Sequence, residues 1–143
     1  MAKFIFRLEP VLKHRSEKAT SAEQALALAH HEYHRRLDIL EGTRQRLEDT
    51  YEAAEEAEDP LDVVYLSYYR ASLNIKINAQ KHEAVLAEKA VERKRSVAIK
   101  ARQDRQIMEK LKDKHYMDYR CEEATREQKE IDELALYAYL RHC

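Results

Sequence analysis

The residues with the richest chemistry are His30, His31 and His34, because positions 30 and 34 share one face of a helix and imidazoles at that spacing can hold a transition metal. No cysteine or carboxylate completes the set at an obvious position, and no Glu stands between them in a zincin pattern, so exposed helical histidines are the expectation. Cys121 and Cys143 have neither metal nor redox spacing and make no disulfide framework. Between Glu88 and Arg105 lie Lys89, Arg93, Lys94, Arg95, Lys100, Arg102 and Arg105, against Glu88, Glu92 and Asp104. A basic-zipper reading fails, since no strong dimerising seam follows the run and no aromatic residue interleaves it. No nucleophile and base share a concave site, because a two-helix rod offers no pocket; neither catalysis nor a cofactor is expected.

The elements that would position these residues are helices. Of 143 residues, 37% are charged, with one Gly, two Pro and no Trp. Ala, Glu, Leu, Arg and Lys dominate, the composition of long helices or coiled coil. Turn-rich β-folds and phosphate-cradling loops are excluded, because Gly42 is the single glycine. With 26 basic and 27 acidic residues the net charge is −1, which implies no bulk attraction to nucleic acid or membrane. Phe4-Ile5-Phe6 is too short for a signal-peptide core and no stretch reaches membrane-span length, so a cytosolic protein with reduced thiols is expected.

Two prolines punctuate the chain. Asp59 can cap a helix whose first position is Pro60, and Pro60 pushes Asp59 out of the α region, ending the helix before it. The fold class expected is all-α: a long two-helix antiparallel coiled-coil hairpin with a protruding C-terminal helix. Its parts are an extended leader (1–9), helix one (10–57), a turn (58–60) and helix two (61–141), with 112–141 overhanging. A parallel dimer of unbroken helices is the competing geometry, and Asp59-Pro60 argues against it.

Helix one shows a seam through Leu8, Leu12, Arg15, Ala19, Ala22, Leu26, Ala29, Tyr33, Leu37, Leu40, Arg44, Leu47, Tyr51 and Ala54, with a stutter at Tyr33. Helix two offers Leu61, Tyr65, Tyr68, Ser72, Ile75, Ala79, His82, Leu86, Ala90, Val97, Ala101, Met108 and Leu111. The two rows pair where residue numbers add to about 119, placing Tyr33 on Leu86, Leu40 on Ala79 and Tyr51 on Tyr68. A second row, Leu66, Tyr69, Leu73 and Ile77, is left over. It reads either as an exposed docking face or as a flank of a widened seam. The overhang is polar over 112–130 and then carries Ile131, Leu134, Leu136, Tyr137, Tyr139 and Leu140; it either frays or is ordered by a partner. Charge along the rod is segregated, a basic shaft against an acidic turn, which could bias the orientation of docking.

The opening Phe4-x-Phe6-Arg7-Leu8-Glu9-Pro10-Val11-Leu12-x-x-Arg15 resembles the N-terminal signature of the FliJ family of the bacterial flagellar export apparatus. Tyr116 to Ala135, with Arg126-Glu127-Gln128-Lys129-Glu130-Ile131-Asp132-Glu133, is similar to its C-terminal signature. The resemblance implies a soluble cytoplasmic component of the flagellar type III export system, peripheral to the inner membrane and required for flagellum biogenesis and motility. It implies a stalk in the pore of the hexameric FliI-like export ATPase, contact with the FlhA-like export gate, and binding of export chaperones. For gate contact it points to Leu47, Tyr51, Tyr69 and Leu73, and for the ATPase to Arg7, Arg15, Arg126, Gln128 and Lys129. An escort or chaperone-like coiled coil, and the stalk of a non-flagellar type III secretion system, are the alternative readings.

Overall fold

A computed structural model describes residues 3–143. Two helices make up the fold: α1, Glu9–Glu56, and α2, Pro60–His142, of 48 and 83 residues. They pack antiparallel as a helical hairpin, and the described residues contain no strand. At the connection the Asp59 carboxylate accepts the Leu61 N–H at 2.9 Å, and its carbonyl accepts the Asp62 N–H at 3.1 Å. Asp59 is thus the N-cap of α2 and Pro60 its first residue, where the missing N–H costs nothing. No described residue has positive φ, so the reversal needs no glycine. The single glycine, Gly42, lies exposed within α1, with nothing within 4 Å of where a Cβ would stand.

Contacts divide the chain into two units. In Thr20–Lys100, the inner face of α1 runs through Ala22, Leu26, Ala29, Tyr33, Arg36, Leu40, Thr43, Leu47, Thr50 and Ala54, all buried or half-buried. Steps of four and three alternate throughout, so the stutter expected at Tyr33 is absent. Thr43 and Thr50 hold the places expected for Arg44 and Tyr51. Each hides its hydroxyl against its own helix: Thr43 Oγ1 donates to the Ile39 carbonyl at 3.0 Å, and Thr50 Oγ1 to the Leu47 carbonyl at 2.6 Å. With that bond made, a threonine presents a methyl group to the seam and is buried at little cost.

The facing row of α2 is Leu66, Arg70, Leu73, Ile77, Gln80, Ala84, Ala87, Val91 and Ala98. This corrects the expected seam. Leu61, Tyr65, Tyr68 and Ile75 are 75%, 71%, 75% and 71% exposed, and Leu86 and Val97 are also exposed. Conversely, Leu73 is 1% and Ile77 6% exposed, and Leu66 is half-buried, so three members of the second apolar row face the core while Tyr69 stays exposed. Two heptad rows compete on this helix. The inner one keeps Ala84, Ala87, Val91 and Ala98 covered, broken by the exposed Lys94, whereas the row through Tyr68 runs into both Lys89 and Arg93 after Leu86. The inner row can include Arg70 because that guanidinium donates to Thr50 Oγ1 at 3.3 Å and to the Thr50 carbonyl at 3.2 Å. It also lies 4.3 Å from the Tyr51 ring centroid, a cation–π contact. The register itself agrees with expectation, since Thr50–Arg70 and Arg36–Glu83 have residue numbers adding to 120 and 119.

The other unit joins the chain up to Ala19 with Ala101–Cys143. Here Phe6, Leu12 and Met108 form a buried cluster flanked by Phe4 and Leu111, and Ala19 and Ala101 are buried. Arg15 donates to the Asp104 carbonyl at 3.5 Å, and Lys112 pairs with Glu9 at 2.9 Å. Ahead of α1 the leader docks on α2. The Phe4 ring lies 5.3 Å from Tyr116 and 5.5 Å from Tyr119, and Phe6 meets His115 edge-on at 5.6 Å. The leader therefore continues the apolar contact of α2 where α1 has not yet begun. From Ala124 to the C-terminus every residue of α2 is exposed.

Candidate functional site

The structure separates the candidate residues into inner and outer ones. Among the gate candidates, Leu73 is buried and Leu47 half-buried on the inner faces, so neither offers a free surface within the hairpin. Tyr69 and Tyr51 are 40% and 52% exposed, and Tyr51 carries the Arg70 guanidinium on one face of its ring. Charged surroundings matter there, because Glu48, Asp49, Glu52, Glu55, Glu56 and Glu58 precede the turn.

The ATPase candidates also divide. Arg15 is half-buried and engaged with Asp104, a contact between the two helices. Arg7 is exposed beside the leader groove lined by Phe4, His115, Asp118 and Tyr119. Arg126, Gln128 and Lys129 are exposed on α2. Arg126 pairs with Glu123 at 2.7 Å and Gln128 donates to Asp132 at 2.8 Å, both within one helix. Beyond them Ile131, Leu134, Leu136, Tyr137, Tyr139 and Leu140 are each 58–69% exposed. Apolar side chains thus occupy the whole circumference of this part of α2 and face solvent.

Apart from half-buried Arg105, the basic run is exposed, with local pairs from Arg95 to Glu92 at 2.6 Å and from Arg93 to the Lys89 carbonyl at 3.4 Å. The His30 and His34 rings stack with centroids 6.3 Å apart. No group of three His, Cys, Asp or Glu among the described residues is placed to hold a metal ion. Cys121 and Cys143 are exposed and unbonded. None of the described helices is long and apolar enough to cross a membrane.

One charge cluster links α1 to α2. Glu32 accepts from Arg35 at 2.9 and 2.8 Å and from Arg36 at 2.8 Å, while Arg36 reaches Glu83 at 2.6 Å. Hydrogen bonds from Arg35 first, and from Arg36 second, lower the Glu32 carboxyl from 4.5 to about 2. Because the folded value lies below the unfolded one, the stabilisation is complete above about pH 4.5 and is lost as pH falls toward 2. Carboxyl NMR should show Glu32 titrating near 2, and Arg35→Ala should raise that midpoint more than Arg36→Ala. A midpoint at the ordinary value would show that the cluster does not form.

The described residues thus form a hairpin of two long helices whose C-terminal end carries exposed apolar side chains. The sequence model described as "Flagellar FliJ protein" matches residues 4–142. The chain therefore belongs to the FliJ family, a family of the flagellar protein export apparatus. No curated protein and no solved structure matches it.

Proposed function

We propose that this chain is a stalk-like component that binds the hexameric flagellar export ATPase and couples it to the export gate. Membership of the FliJ family supports the setting. The observation that carries the reading is the C-terminal stretch of α2, exposed on every side from Ala124 yet rich in Ile131, Leu134, Tyr137 and Leu140. A solitary helix of this kind is marginal in water and gains order from a surrounding partner. Arg126, Gln128 and Lys129 lie just before that cluster and add polar contacts, as does Arg7. Arg15 contributes indirectly, by holding α1 on α2 through Asp104.

A single asymmetric helix inside a six-fold ring touches its subunits unequally, and unequal contact biases their nucleotide states. At the turn end, Tyr51 and Tyr69 present the surface that meets the gate, while Leu47 and Leu73 hold the helices behind them. Association with the membrane-embedded apparatus is then peripheral, through protein contacts.

The test is ATP turnover by the purified export ATPase with and without this protein. Added protein should raise turnover, and Leu134→Ala with Tyr137→Ala should abolish the rise while the hairpin stays folded, since both side chains are exposed. Unchanged turnover together with no detectable binding would sink the proposal. Binding of the FlhA-like cytosolic domain, lost in Tyr69→Ala, tests the gate half separately.

A further inference from the structure

We propose that the outward stripe of α2 near the turn is an interface for a second copy of this chain, the two helices pairing antiparallel about a two-fold axis close to Arg70. The proposal does not depend on the export reading. The stripe is Leu61, Tyr65, Tyr68, Ser72, Ile75 and Ala79, in strict alternation of four and three. At 100° per residue these positions lie on the side of α2 turned away from Leu73 and Ile77. Its large members are between 71% and 75% exposed. A helix with two heptad rows on opposite sides, one of them covered, has room for a further helix on the other.

The surroundings of the stripe fit a helix and not solvent. From Val63 to Gln80 the only charged residues are Arg70 and Lys76, in a chain that is 37% charged. Arg70 is engaged inward with Thr50. Charge depletion at the centre of an exposed apolar patch is the compositional mark of an interface core.

The order of side chains within the stripe favours a second copy over an unrelated helix. Its first half, Leu61, Tyr65 and Tyr68, is bulky; its second half, Ser72, Ile75 and Ala79, is smaller. Antiparallel self-pairing sets Leu61 on Ala79, Tyr65 on Ile75 and Tyr68 on Ser72, so every layer joins a larger side chain to a smaller one. Parallel pairing would stack Tyr on Tyr and leave Ser on Ser. The same antiparallel register brings Asp62 alongside the other copy's Lys76, twice by symmetry. These are the two charges that border the stripe, and they are opposite. The interface is isologous and closes on itself.

Sedimentation equilibrium on the full chain tests this directly. The mass should rise with concentration from 17.0 kDa toward twice that value. Tyr68→Glu should hold it at one chain with helicity unchanged, because that side chain is exposed and supports nothing within the hairpin. Lys76→Glu should weaken association about tenfold by setting two like-charge pairs across the axis. Adding Asp62→Lys to Lys76→Glu should restore it. A one-chain mass at every concentration overturns the proposal, and so does a dimer indifferent to Tyr68→Glu.

Discussion

Leu73→Ala is expected to destabilise the hairpin by about 2–3 kcal/mol, near the lower end of the range for buried Leu truncations. Leu73 is the largest fully buried side chain among the described residues, 1% exposed. Removing its isobutyl group takes away burial and leaves a gap between two helices that have no third element to close it. The lower end is expected because a two-helix interface is thin and the site can partly collapse. Tyr68→Ala and Ile75→Ala, five residues before and two after, should change stability by no more than about 0.5 kcal/mol. Chemical denaturation followed by far-UV circular dichroism measures all three. Equal losses, or a larger loss at Ile75, would return the seam to the row now seen facing outward. For the same reason Tyr69→Ala with Leu73→Ala is a poor probe of gate binding, because it removes core, and Tyr69→Ala alone is the cleaner variant.

Phe6→Ala is expected to cost on the order of 3 kcal/mol locally, releasing the leader without unfolding the hairpin. Phe6 is 6% exposed and joins Leu12 and Met108 in one cluster, while its carbonyl accepts the Glu9 N–H at 3.1 Å. That contact ties the leader to the first turns of α1 through Leu12 and to α2 through Met108, so its loss is felt at this end of the hairpin. Amide exchange should therefore accelerate at Glu9, and the Tyr116 and Tyr119 ring signals should lose their shifts from Phe4. Exchange around Ala98 and Ala101 should stay slow. A variant in which those core amides open as readily as Glu9 would show that the leader is part of the global fold instead.

Much of this architecture was legible because a few residues constrain it tightly. Asp59 and Pro60 specify where α2 starts, and a turn that short sets the register, which is why pairs summing to about 119 appear. Facing was harder. Leu61, Tyr65, Tyr68 and Ile75 form the more apolar of the two rows at the start of α2, and counting apolar residues selects it. The structure selects the row holding Arg70 and Gln80, because Arg70 is satisfied by Thr50 and because that row returns to small apolar residues at Ala84, Ala87, Val91 and Ala98. Thr43 and Thr50 hid the continuous heptad of α1, since their polarity disappears only once each hydroxyl bonds to its own backbone. The docking of Phe4 and Phe6 was not legible at all. His115, Tyr116 and Tyr119 sit in a polar stretch with no seam, and their contact is with a segment that is not helical. Of the candidate site, the C-terminal apolar cluster could be read directly, because Ile131, Leu134, Leu136, Tyr137, Tyr139 and Leu140 stand out after the polar stretch before them.

The most direct measurement is a methyl–methyl NOE experiment on Leu- and Ile-labelled protein, repeated with labelled and unlabelled chains mixed. Leu73 should show cross-peaks to Leu47, and Ile77 to Leu40, undiminished by mixing, because both pairs lie within one chain on facing inner rows. Cross-peaks joining Ile75 to Leu40 or Leu47, with none from Leu73 or Ile77, would contradict the arrangement of α2 on which the division into core and binding surface stands.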